Sequence, residues 1–245
     1  RQFHRRLLDP SRRDRKFLIF QAALSREGDS MDLDPRQYEH VAINDSDIGN
    51  VVLSYLVHNC FRETLESFVT CTGMKCPDYT EDMEIRKRIY HLVIGGDALK
   101  AIKLVEQRAC EFLENNNDLH FDLLSLHFVQ LVCSRKCTEA LEFAQAKLTP
   151  FGKVQKYVEK LEDFMALLAY EDPEKSPMFY LLGSEYRQLV ADNLNRALLA
   201  HANLPSYSVM ERLLQQTAVV RQYLNQEHGK EVLPTSFCLE DILRS

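Results

Sequence analysis

The chain has 245 residues, 45% of them apolar and 27% charged, with only 8 Gly and 8 Pro. Turn-makers this scarce exclude a sandwich or barrel of many short strands, and the longest uninterrupted apolar run, Phe164 to Tyr170, is far too short to span a membrane. The net charge of −6 divides into +4 over residues 1–30 and −10 over the rest, and an acidic body without a basic stripe excludes a nucleic-acid partner. What remains is an all-α protein of long helices and short joints. Seven cysteines, an odd number, several of them at apolar helical positions, are expected to be reduced thiols of a cytoplasmic and nuclear protein.

Residues 1–30 mix Arg with Asp9, Asp14, Glu27 and Asp29 and keep no apolar period, so they are expected to be a disordered extension ahead of a start at Met31. A basic arm that docks on an acidic partner is the other reading. From Asn44 the pattern is regular. Ile48, Val51, Val52, Tyr55 and Leu56 share one helical face behind the cap residues Asn44 to Ser46. After the joint His58-Asn59-Cys60, the spacing recurs as Phe61, Thr64, Leu65, Phe68 and Val69, and Gly73 supplies a left-handed stop. Two helices this short are marginal alone, so their stripes need further surface.

Thr80 to Asp82 precede an inner face of Ile85, Ile89, Leu92 and Val93, which ends at Gly95-Gly96. Asp97 is placed to cap the next helix, carrying Leu99, Ile102, Val105, Ala109 and Leu113. From Leu119 to Val132 the chain is apolar nearly all round, as a helix covered by neighbours on most sides would be. Further helices are predicted over 138–147, 154–170, 178–202 (with a break near Gly183) and 208–226. Ser176-Pro177 reads as N-cap and N1, and Ser208 with Glu211 as a capping box.

The segment Tyr55 to Gly73, YLVHNCFRETLESFVTCTG, resembles a LisH motif through Tyr55, Leu56, Phe61, Thr64, Phe68 and Gly73; Cys60 and Leu65 stand where Gly and Ala are usual. Residues 79–136 resemble a CTLH domain through IRKRIYHLVIGGDALKAI and LHFDLLSLHFVQLV, with Leu126 and Gln130 in place of the usual Gln and Glu. The strings LEDFMALLAYEDPEKSP and RQLVADNLNRALL resemble the CRA domain, and YEDPE…SP has no compositional reason to arise. The expected layout is therefore 1–43 extension and lead-in, 44–78 LisH, 79–136 CTLH, 137–230 CRA and 231–245 tail. It is similar to the C-terminal half of Ran-binding protein M and to the plant proteins made of these modules alone.

The resemblance implies an elongated helical-hairpin scaffold, non-catalytic, in a CTLH (GID)-type ubiquitin ligase assembly. It implies pairing with itself or a related LisH chain through Val52, Tyr55, Leu56, Phe61, Leu65 and Phe68, buttressed by Leu213 and Leu224 of a C-terminal helix that folds back. Phe121, Phe128, Leu161, Leu168 and Tyr170 are the expected platform for RING-bearing and Ran-binding-protein-M-like subunits. A free LisH dimer tethering cytoskeletal or signalling partners is the alternative.

The residues themselves offer no enzyme chemistry. Cys133 and Cys137 with His127 invite a zinc reading, but no second ligand pair exists and the thiols are expected to be buried in an apolar helix. No His has Glu three residues before it, Gly183-Ser184-Glu185 is not a nucleophile elbow, and Gly95-Gly96-Asp97 lacks the Lys-Ser/Thr of a phosphate loop. Cofactor and metal are both expected to be none. His58 and His91 read as packing or C-terminal dipole residues. Ser176 is a candidate for proline-directed phosphorylation, although its capping role accounts for the same residues.

Overall fold

Asn44 fixes the start of the first helix: its side-chain oxygen accepts the Ser46 N–H at 3.2 Å, and helix α1 runs Asp45–His58. In the computed structural model the described residues are 43–75 and 80–228, without the side chains of 80, 81 and 224–228. The extension expected over 1–30, the start at Met31, Cys76, Cys238, the tail and the capping side chains of Thr80 and Glu81 lie outside them. Ten α-helices and no strand occur among the described residues.

Helix α2, Arg62–Thr72, ends at Gly73 with φ 67°, the predicted left-handed stop. Helix α3 is Thr80–Ile94, α4 Ala98–Arg108, α5 Phe112–Asn115 and α6 Asn117–Cys133. Helix α7, Cys137–Phe143, widens into a π-turn at Ala144–Leu148 and tightens into a 3-10 turn at Thr149–Lys153. Pro150 lies in that turn and has no N–H to continue an α-helix. Helix α8, Gln155–Ala166, passes through 3-10 turns at Leu167–Ala169, Pro173–Lys175 and Phe179–Leu182 into α9, Ser184–His201. Helix α10 is Val209–His228.

Two expectations about helix starts are corrected. Asp97 receives the Lys100 and Ala101 amides on its backbone carbonyl, while its carboxylate pairs with Lys100 at 3.0 Å instead of capping. Ser176 does not open the long helix, which begins at Ser184 after Gly183. Its Oγ accepts the Met178 N–H at 3.2 Å between two 3-10 turns.

With so few glycines, helix ends use other residues. At Cys60 (φ 59°) the Phe61 N–H bonds to the Leu56 carbonyl and the Cys60 N–H to that of Val57, a 6→1 and 5→2 pair. The same pair recurs around Gly96 (φ 86°), Arg135 (φ 60°) and Asn203 (φ 58°). Cys60 thus occupies the left-handed position where the LisH resemblance has Gly.

The main core is built from α3, α4, α6, α8 and α9 with the turns between them. Helix α3 packs on α4 and α9, and α6 packs on α4 and α9. Phe121 anchors an aromatic cluster, its ring 4.9 Å from Tyr157, 5.4 Å from Phe151 and 6.2 Å from Phe164. A smaller cluster joins Leu56, Val57, Cys60 and Leu65 of the hairpin to Met83 of α3. Helix α10 returns to pack on α1, as the resemblance implied.

Candidate interaction surfaces

The hairpin meets the body around a buried cation. Arg86, on the inner face of α3 and 3% exposed, donates from Nη2 to the Val57 carbonyl at 3.0 Å. Its Nη1 donates to the His58 carbonyl at 3.2 Å and to Asn195 Oδ1 at 2.8 Å, and its Nε to Asp82 Oδ2 at 3.2 Å. Asn195 of α9 donates back to the His58 carbonyl at 3.1 Å. A guanidinium thus closes the carbonyl end of α1, where helix dipole and unpaired acceptors favour a cation.

His58 is itself buried. Desolvation lowers its pKa below 6.5, against the opposing pull of Glu211, so the ring is neutral at pH 7 and adds no charge to the helix end. Its Nε2 lies 3.5 Å from Glu211 Oε2, and Arg196 Nη2 lies 3.3 Å from Glu211 Oε1. Glu211 also completes the predicted capping box, accepting from the Ser208 N–H at 2.8 Å, while its own N–H donates to Ser208 Oγ at 3.2 Å. Although burial opposes ionisation, these hydrogen bonds and neighbouring His58 and Arg196 hold the Glu211 carboxyl below its usual 4.5. The Val209 N–H donates to Ser54 Oγ at 3.0 Å, tying α10 to α1. Arg86 and Asn195 escaped the sequence reading. The signal was present in the inner stripe Met83, Arg86, Ile89, Val93, where one charge interrupts an apolar face.

The expected pairing residues divide into two groups. Leu56 and Leu65 are inside the hairpin's own core, Leu65 being 0% exposed, so they hold the hairpin to α3 and cannot line a seam; this corrects their assignment. Val52, Tyr55 and Phe68 are half-buried, whereas Phe61 is 45% and Leu213 52% exposed. Ile48, Val219, Val220 and Tyr223 are exposed as well, and the Leu224 side chain lies outside the described residues. Helices α1 and α10, packed on each other, therefore leave apolar surface uncovered among the described residues.

On the body, Phe121 and Phe128 are each 0% exposed. They are core, which overturns their place in a docking platform: a helix apolar all round has neighbours on every side. Leu161 and Leu168 are half-buried against the same core, and Tyr170 is exposed. Exposed Phe179 and Tyr180 follow in the 3-10 turn before α9.

Cys133 and Cys137 are exposed, against expectation, because they flank the Arg135 turn and not the apolar middle of α6. His127 packs edge-on to Phe143 at 4.7 Å. Among the described residues no group of three His, Cys, Asp or Glu is placed to hold a metal, and no helix is long and apolar enough to cross a membrane. Ser176 is buried with its hydroxyl engaged, so a kinase would meet it only after the turn opens.

A short hairpin clasped to a helical body, with Ile48, Phe61 and the Leu213 of α10 left exposed, defines a helical protein-interaction module. The chain belongs to the CTLH/CRA C-terminal to LisH motif domain family, whose model matches residues 82–225, from α3 into α10. It is similar to the Glucose-induced degradation protein 8 homolog of Dictyostelium discoideum, 35% identical over 65% of this chain and 70% of that protein. GID complex subunit 8 of Schizosaccharomyces pombe is 29% identical over 71% of this chain and 77% of its own length. The Ran-binding protein M homolog of Arabidopsis thaliana is 28% identical over 74% of this chain and 44% of that protein.

Proposed function

We propose that the chain is a non-catalytic scaffold subunit of a CTLH (GID)-type ubiquitin ligase assembly in the cytoplasm and nucleus. It pairs through the hairpin and α10 with itself or a related LisH chain. It offers the CTLH/CRA body to a RING-bearing or Ran-binding-protein-M-like subunit. The observation that carries this reading is the division of labour in the side chains. At the hairpin junction Arg86 bonds to Asn195 and Arg196 pairs with Glu211, while Phe61 and Leu213 are exposed. The relatives named as Glucose-induced degradation protein 8 and GID complex subunit 8 support it.

The test is a pair of variants. A charge placed in an apolar interface costs several kcal/mol, so Leu213→Asp should lower the mass seen by light scattering and leave the helical circular dichroism intact. Leu56→Asp, inside the hairpin core, should lose helix as well. Unchanged mass in Leu213→Asp sinks the seam. Co-purification of a RING-bearing subunit with Leu213→Asp separates the scaffold from a free tethering dimer, which would bring none.

A further inference from the structure

Where the hairpin joint meets the body there is a cleft of about 130 Å³, bordered by Phe61 of the joint, Lys87, Tyr90 and His91 of α3, and Asp192 of α9. It has room for the head of one side chain, whereas a drug-sized ligand needs at least about 300 Å³. The border is rich in rings. Tyr90 and His91 cross at 87° with centroids 6.4 Å apart, and Phe61, 45% exposed, borders the cleft from the hairpin side. The Tyr90 hydroxyl donates to Asp192 Oδ1 at 3.0 Å, which ties its ring to α9. Burial and the Asp192 charge push that hydroxyl's pKa up to about 12, so it stays neutral and the carboxylate is the negative charge of the cleft.

The amides bordering the cleft are engaged with the protein. Asn195 holds Arg86 Nη1 at 2.8 Å and the His58 carbonyl at 3.1 Å, and Asn59 Nδ2 donates to the Tyr55 carbonyl at 2.9 Å. Lys87 Nζ reaches both carboxylate oxygens of Glu63 at 3.3 Å. What the cleft offers an occupant is therefore ring surface with a carboxylate beside it, and this combination selects among ligands. A carboxylate would meet Asp192, and a neutral apolar group would strip water from that charge with nothing to replace it. An ordinary ammonium brings three N–H donors that must each find an acceptor on leaving water. A fully methylated ammonium keeps the charge, has no donor to satisfy, and is attracted both to ring faces and to the carboxylate.

We propose that this cleft is a binding site for a quaternary ammonium group, the trimethylated lysine side chain of a partner protein. The four-carbon stem of lysine can carry such a head into a small cleft, and the chain that bears it adds contacts outside, which a free head group lacks. Only Phe61 is shared with the proposed pairing seam, so the site goes beyond the scaffold reading without depending on it.

The probe is a glycine-flanked peptide with one trimethyllysine, set against the same peptide unmethylated, against its neutral tert-butyl isostere, and against choline. In NMR titrations of the full chain the trimethyllysine peptide should bind about fivefold or more tighter than each of the other three. Asp192→Asn, which keeps an acceptor for the Tyr90 hydroxyl, and Tyr90→Leu should each weaken it by about fivefold or more with helical content unchanged. Tyr90→Phe, which keeps the ring, should bind better than Tyr90→Leu. Equal binding of the methylated peptide and its unmethylated or neutral counterpart overturns the proposal, as does full affinity in Asp192→Asn or no binding at millimolar peptide. Choline binding as tightly as the peptide would mean that the cleft reads a free head group, and overturns the assignment to a lysine side chain.

Discussion

Replacing Arg86 with Met removes the cation at the hairpin junction while roughly preserving its length. The Val57 carbonyl keeps the Cys60 N–H at 3.3 Å and the His58 carbonyl keeps Asn195 Nδ2 at 3.1 Å, but Asn195 Oδ1 loses its 2.8 Å donor. Asp82 is left with Arg108 at 3.6 Å. Hydrogen bonds to a charged group contribute roughly 1.5–3 kcal/mol each, and three of Arg86's run to uncharged acceptors. Against them stands the desolvation of the guanidinium, several kcal/mol, which the Met variant no longer suffers. The net expectation is a loss of about 3 kcal/mol, near the lower end for breaking a buried charge pair, because Asp82 is partly exposed and keeps a second cation. In a chain of this size that lowers the melting temperature by roughly 6–12 °C. Urea unfolding of Arg86→Met, Asn195→Leu and the double variant should give a coupling of about 1–3 kcal/mol, since the two side chains share one bond and one carbonyl. A cost under about 1 kcal/mol for Arg86→Met, or additive single variants, would refute the clasp as the element that holds the hairpin in place.

Glu111 sits exposed with φ 63° just before α5, where a side chain strains the backbone by roughly 1–2 kcal/mol and glycine's extra unfolded-state entropy returns about half of that. Glu111→Gly should therefore raise stability by about 0.5–1 kcal/mol in urea unfolding; destabilisation would show that the left-handed turn is wrongly placed. The folded-state pKa of His58 is below 6.5, so the stability tied to its neutral form is complete above pH 6.5 and is lost as pH falls through the folded value. Glu211, held below 4.5, adds a second loss further down in pH. His120 and His127 are lowered by burial too, so His58→Gln should make the decline below pH 6.5 shallower without abolishing it, and an unchanged slope would argue against a buried neutral His58.

Periodicity and capping residues made the helices legible because both are local. Asn44, Gly73, Gly95-Gly96, the break at Gly183 and the Ser208–Glu211 box act within a turn of where they stand in the chain. Partners distant in sequence decided the rest. Leu65 and Phe61 belong to one predicted stripe, yet Met83 covers the first and leaves the second outside. Phe121 and Phe128 are core for a related reason: an all-round apolar helix announces burial, and Tyr157 and Phe164, two helices further on, are residues that enclose them. The joint at His58-Asn59-Cys60 is legible from the spacing, but Cys60, Arg135 and Asn203 carry no glycine signal, so the left-handed geometry that aims α2, α7 and the approach to α10 is not. Arg86 joins these cases to function. The seam proposed at Phe61 and Leu213 needs α1 fixed to α3 to present one geometry to a partner, and α1 is fixed at its carbonyl end by a side chain from α3 and another from α9. The polar residues that interrupt an apolar stripe therefore set the angle at which the apolar residues can be used.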